Sequence, residues 1–290
     1  MNTPVEDKLP LRLKLVHGMG SIAYGVKDNG FSTFLLLFYN QVLGLEATLV
    51  SAALMLALFI DAFIDPIVGH MSDRTYTRWG KRLPWLYIAP IPLGFACLLL
   101  WSPPEGAHGH IFLYLVSTAV LVRALVSCCE VPSVALVPEL TRDYDERTGL
   151  MRFRYLFAWG GGLLMLFLAY GVFLKPDAGH AVGQLNPEGY WNYGLFGGLL
   201  IALTVLLSAA GQHKRMARLP DVRPVSTSVG HAFGEIKESL SNRAFLIFAS
   251  AAGLAVISQG TTFSISNYLY LYVWQFNQTA FGFYPVVLFL

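Results

Sequence analysis

The sequence predicts an all-α integral membrane protein: a six-helix bundle followed by the start of a second bundle. Three observations carry that expectation. The chain is 55% hydrophobic and only 13% charged, where a soluble domain usually carries about 25% charged residues, and its mean hydropathy is +0.53. Its charges gather in short segments between apolar runs of roughly 20 residues, the length of one bilayer crossing. A polar stretch, Gln212–Arg243, follows the sixth run and divides the chain.

Seven runs and the beginning of an eighth are legible, at 18–42, 47–70, 84–101, 110–138, 152–174, 191–211 and 244–273, then from 280 onward. Those longer than about 25 residues are expected to tilt or to extend past the membrane. Gly160, Gly161 and Gly162 open the fifth run, and Gly197 and Gly198 lie in the sixth. Such small residues let helices approach closely. The expected organisation is a bundle over 1–211, a connector over 212–243, and the first part of a second bundle over 244–290. From Phe281 to Leu290 the last run has about half the length a crossing needs, so a truncated chain is expected.

Lys and Arg set the orientation. Lys8, Arg12 and Lys14 precede the first run; Arg74, Arg78, Lys81 and Arg82 follow the second. Arg142, Arg147, Arg152 and Arg154 follow the fourth, and Lys214, Arg215, Arg218, Arg223, Lys237 and Arg243 follow the sixth, while the opposite loops hold only Lys175. A cytoplasmic N-terminus in a multi-pass cell-membrane protein follows. Met1 to Pro10 is polar and shows no signal-peptide pattern.

Other classes find little support. A net charge of +2 is too small for a nucleic-acid footprint. Cys97, Cys128 and Cys129 lie in apolar runs without metal-ligand spacing and read as packing residues. His17, His70, His108, His110, His180, His213 and His231 are scattered, with no catalytic or metal spacing. No cofactor and no enzyme motif is expected; an intramembrane enzyme or receptor is the disfavoured alternative.

The chemistry concentrates at Asp61 and Asp65, four residues apart in the apolar run Ala47-TLVSAALMLALFIDAFIDPIVG-His70. A carboxylate in the hydrocarbon core costs about 2.5–3.5 kcal/mol on insertion scales. At i and i+4 both project from one helix face, where one cation could neutralise them together. Arg or Lys from neighbouring helices could do the same. The polar series from Ser258 to Asn267 in the seventh run reads either as a cavity-lining helix or as inter-helical hydrogen bonding.

The runs Asp61-AFID-Pro66 and Gly69-HMSDRTYTRWGKRLP-Trp85, with Lys27-Asp28 and Glu130-VPSVALVPELTRDYDERTGLMRF-Arg154, resemble the glycoside–pentoside–hexuronide:cation symporters. These belong to the major facilitator superfamily, with the melibiose carrier as type case. The resemblance implies that Asp61, Asp65 and Ser127 bind a coupling cation, Na+ or H+; oxygen ligands of this kind suit a hard cation. It implies that Lys27, Asp28, Glu130 and Arg154 contact a polyol, whose hydroxyls suit carboxylates and guanidinium. Asp73, Arg74, Arg78, Lys81 and Arg82 are implied to form a cytoplasmic gate.

Each assignment has a plainer reading. Lys27 and Asp28 could pair with each other, Glu130 could neutralise Arg123, and Arg154 could be a snorkelling anchor. Trp159 and Tyr24 are aromatics that could stack on a sugar. Two positions depart from the melibiose pattern: Arg123 stands where a small residue is expected, and Val134 where a sugar-stacking Trp is expected. The resulting expectation is a monomeric, cation-coupled secondary transporter of a sugar, glycoside or related small polar solute, working by alternating access in the lipid bilayer. Sodium-dependent lysophospholipid carriers share the fold and part of the pattern, so an amphipathic cargo is the alternative.

Overall fold

A computed structural model describes residues 8–104, 110–177, 179–216 and 241–289. Ala107, His108, His231 and residues 217–240 of the connector lie outside the described residues. The described residues form helices joined by short turns. They fall into two compact units, one within 1–221 and 276–290, the other within 222–275.

The first run becomes α1 (Leu11–Met19) and α2 (Ile22–Asn29), which passes through π-helical turns at Gly30–Phe34 and Phe38–Val42. The second run becomes α3 (Ala47–Asp73). The third is divided where Pro90 begins a new segment, giving α4 (Leu83–Ile88) and α5 (Pro90–Trp101). The fourth gives α6 (Ile111–Ala135) and α7 (Val137–Leu140); the fifth and sixth give α8 (Tyr144–Leu168) and α9 (Pro187–Met216). Among the described residues, five helical stretches are long and apolar enough to cross a membrane: 47–73, 111–140, 144–173, 187–216 and 243–273. The first run is too polar around Lys27, Asp28 and Asn29 to count among them, and the third, though apolar, is divided, leaving Pro90–Trp101 as a shorter apolar helix.

α8 and α9 begin earlier than hydropathy suggests. Asp143 Oδ1 accepts from the Glu146 amide at 2.8 Å, and Asp145 and Glu146 complement the positive end of the first turn. This polar turn extends the helix beyond the apolar run.

α3 is amphipathic in the membrane sense. Val50, Ala53 and Ala57 are fully buried against the bundle, while Met55, Phe59, Phe63 and Ile67 face outward. Large side chains therefore stand on the outer face, and small ones let helices close. The same device joins α5 to α9, where a Cβ at Gly94 would lie 2.6 Å from the Gly198 carbonyl oxygen. It also joins α2 to α8, where a Cβ at Gly25 would collide with the Ala158 carbonyl. Gly160, by contrast, faces open space.

The two ends of the bundle are held differently. At one end Trp101 of α5 stacks on Tyr190 of α9, centroids 5.7 Å apart, and Tyr193 meets Trp101 edge-on at 5.1 Å. Phe38, ending the first span, packs on Tyr190 at 4.4 Å, and Tyr39 Oη donates to the Leu100 carbonyl at 2.9 Å. At the other end His17 Nδ1 donates to Gln212 Oε1 at 2.8 Å, tying α1 to α9 through buried groups. Cys97 and Cys129 are buried free thiols, and Cys128 is half-buried.

Residues 276–289 include α11 (Gln278–Phe289), after α10 (Arg243–Tyr268) in chain order. In α11, Phe281 stacks on Tyr170, centroids 5.0 Å apart. The second unit contains α10, capped by Asn242, whose Oδ1 accepts from the Ala244 amide at 3.0 Å. In α10 the Thr261, Thr262 and Ser266 hydroxyls donate to carbonyls of their own helix, four residues back.

Candidate functional site

The site is built on the seam between α3 and α6. Asp61 of α3 faces Arg123 and Ser127 of α6, which lie one turn apart. Arg123 Nη2 and Nε donate to Asp61 Oδ2 at 2.7 and 2.9 Å, and Ser127 Oγ donates to Oδ1 at 3.2 Å. The two charged side chains are each only 16% exposed. Leaving one charge of a fully buried pair without its partner costs about 3–5 kcal/mol; this pair keeps some exposure, so the contact favours the α3–α6 register by a smaller amount. Arg123 also lies over the Phe31 ring, 5.8 Å from its centroid, within cation–π range.

Beside this pair opens a cavity of about 190 Å³ lined by Lys27, Asp61, Asp65, Arg123, Ser127 and Glu130, with Val126 and Val131. That is smaller than the ~300 Å³ where small-molecule pockets usually begin; it has room for an ion with water or for part of a solute. Asp65 and Glu130 have no hydrogen bond or close ion pair among the described residues. Three carboxylates, two cationic side chains and a hydroxyl thus share one cavity within the spans. Pro66, directly after Asp65, donates no backbone N–H and so loosens the local helix ladder.

The residues implied to bind solute are not all on that cavity. Glu130 lines it. Lys27 lines it too, and its Nζ is 2.5 Å from Asp28 Oδ1. Asp28 is 67% exposed at the side chain and lies off the cavity wall. Arg154 is also off the wall, but it is buried at 5% exposure; it is no membrane-edge anchor. Its Nη1 donates to Ser133 Oγ at 2.6 Å, and its guanidinium covers the Tyr24 ring at 5.5 Å. Tyr24 therefore presents that face to Arg154, while Trp159 is exposed. Glu130 shares the cavity wall with Lys27 and Asp65. It does not neutralise Arg123, whose partner is Asp61. Val134 is exposed.

A second charged cluster joins the end of α3 to α7. Arg82 Nη2 donates to Asp73 Oδ1 at 2.7 Å, its Nε to Glu139 Oε1 at 2.9 Å, and its Nη1 to Ser72 Oγ at 3.3 Å. Arg82 is buried, whereas Arg74 and Arg78 are exposed; Arg78 lies over the Trp79 ring at 5.2 Å. Lys81 is half-buried. Sequence reasoning named Asp73 and Arg82 but not Glu139 or Ser72. Glu139 follows Pro138 at a helix end, where an acid looks like an ordinary solvent-facing residue. Trp79, Tyr87 and His213 form an aromatic triangle nearby, each pair of centroids 5.9 Å apart.

Known proteins resemble this chain in sequence. An uncharacterised symporter of Synechocystis sp. is 36% identical over 56% of this chain and 31% of its own length. The inner membrane symporter YicJ of Escherichia coli is 31% identical over 63% of this chain and 39% of its own. The isoprimeverose transporter of Lactiplantibacillus pentosus is 29% identical, over 57% and 34% respectively. The chain thus matches about a third of the length of these relatives. With helices of bilayer length, the acid-bearing α3–α6 seam and a match of residues 16–290 to the family model, the chain belongs to the MFS/sugar transport protein family.

Proposed function

We propose that this chain carries the cation site of a secondary transporter that couples movement of a small hydroxyl-rich solute, a sugar or glycoside, to a monovalent cation, Na+ or H+. The observation that carries the reading is the convergence of Asp61, Asp65, Glu130 and Ser127 on one cavity inside the spans. Ionisable groups at that depth are expensive and mark ion or substrate paths. The relatives named as symporters, and one as an isoprimeverose transporter, support the same class.

Asp61, Asp65 and Ser127 take the cation, and Glu130, Lys27, Asp28 and Arg154 take the solute, with Arg154 acting from behind Tyr24. Unneutralised carboxylates repel one another; a bound cation relieves that repulsion and favours solute nearby. The coupling is reciprocal, so solute must tighten cation binding by the same factor. No bond is made or broken, so the protein acts as a carrier and not as an enzyme. The Arg82–Asp73–Glu139 cluster closes the cytoplasmic end, with Arg74, Arg78 and Lys81 around it. The N-terminus lies in the cytoplasm, and the carrier works as a monomer in the cell membrane.

A ligand-induced thermal-shift screen of sugars and glycosides on the purified chain, with and without Na+, tests the reading. Stabilisation by a hydroxylated solute supports it. Stabilisation by a lysophospholipid alone would replace the sugar with an amphipathic cargo.

A further inference from the structure

Arg123 occupies the position that charge balance would otherwise give to a mobile ion. It holds Asp61 Oδ2 by two donors, at 2.7 and 2.9 Å, while Ser127 Oγ occupies Oδ1 at 3.2 Å. Both oxygens of Asp61 are therefore already engaged, one of them by a full positive charge. A guanidinium stays protonated under all physiological conditions, so this charge cannot leave. It is also seated on three sides, by α3 through Asp61, by its own helix α6, and by the Phe31 ring of the first span. The other cation on the cavity wall, Lys27, is engaged by Asp28. Asp65, one turn along α3, has no such partner among the described residues.

We infer that Arg123 is a tethered cation that takes the Asp61 half of the ion site for itself, and that it is the residue setting how strongly the protein binds Na+ or Li+. The inference rests on reading this cavity as the ion site. A soluble ion bridging Asp61 and Asp65 must share Asp61 with a fixed like charge. That repulsion is little screened in a partly dehydrated site. The native protein therefore binds Na+ weakly, and replacing Arg123 by a neutral side chain creates a stronger Na+ site from ligands already in place.

The test is direct binding of Na+ and Li+ to the purified full chain, by isothermal titration and by thermal shift, with choline chloride holding ionic strength constant. Arg123→Gln is expected to tighten Na+ binding by about tenfold or more, as removal of a close, poorly screened like charge requires. Arg123→Lys keeps the charge and is expected to remain near wild type. Adding Asp61→Asn to Arg123→Gln is expected to abolish the gain, since it removes the freed carboxylate. A folded, monodisperse Arg123→Gln protein with unchanged Na+ affinity overturns the proposal. So does saturable Na+ binding by the wild type at the concentrations that saturate Arg123→Gln. If Arg123→Gln does not fold, the wild type is compared with Arg123→Lys, where equal weak Na+ binding supports the tether and tight binding by the wild type refutes it. These readings use no solute. Failure of the sugar screen would leave them interpretable, and their failure would leave a solute response intact.

Discussion

Asp61 and Asp65 look equivalent in sequence, one turn apart on one apolar helix, but their surroundings differ. Asp61 is engaged by Arg123 and Ser127, whereas Asp65 lines the cavity without a close partner among the described residues. Both Asp61→Asn and Asp65→Asn are expected to abolish cation-coupled accumulation in vesicles with an imposed gradient. Their stabilities should part company. Asp61→Asn strands a guanidinium and should cost about 1–3 kcal/mol, less than for a fully buried pair because each side chain keeps 16% exposure. Asp65→Asn should melt close to wild type. Equal melting of the two would contradict the asymmetry. Arg154 offers a second test at this scale. Arg154→Lys keeps charge but loses the planar fork shared between Ser133 and Tyr24. It is expected to weaken solute binding by about tenfold while leaving cation affinity unchanged, since a fork-held site is not conserved by lysine. Solute titration at saturating cation reads this, and an unaltered solute affinity would remove Arg154 from the solute site.

At the scale of the helices, packing depends on where side chains are missing. Gly94 and Gly198 bring α5 and α9 together at backbone distance, so Gly198→Val should drive the pair apart. A loss of about 1–3 kcal/mol, typical of overpacking, is expected in thermal melting, whereas Gly160→Ala, on an open face, should change stability by less than about 0.5 kcal/mol. The helices themselves were largely legible, because bilayer-length apolar runs leave little alternative. Their ends were not: hydropathy detects hydrocarbon, while the first turn of α8 is set by the polar cap at Asp143. The interruption at Pro90 was visible as a residue but not as a break. Which helix met which was hidden as well. Arg123 was recognisable as out of place, yet pairing it with Asp61 rather than Glu130 requires the α3–α6 register, and no local pattern contains it. Arg154 shows the same limit, since beside its implied solute contact the alternative of an anchor at the membrane edge stays open until its burial is known.

For the molecule as a whole, the Lys/Arg asymmetry gives a topology that can be measured. On a background lacking Cys97, Cys128 and Cys129, a cysteine introduced at Gly179 or Ala107 should react with an impermeant maleimide from outside. One at Ser226 should react only after permeabilisation. Outside labelling at Ser226 would invert the arrangement. The uneven fastening of the bundle also governs the order in which its parts come loose. The aromatic pack of Trp101, Tyr190, Tyr193 and Phe38 and the Gly94–Gly198 seam bind the first, third and sixth spans mainly through apolar contact, with the Tyr39–Leu100 hydrogen bond beside it. The α3–α6 seam is instead tied by charge and bordered by a polar cavity. Opening free energies follow apolar contact density, so backbone amides of α5 and α9 should exchange with deuterium more slowly than those around Asp61 and Arg123. Local breathing would then begin at the ion site, leaving the remaining spans as a stiff frame against which that breathing takes place.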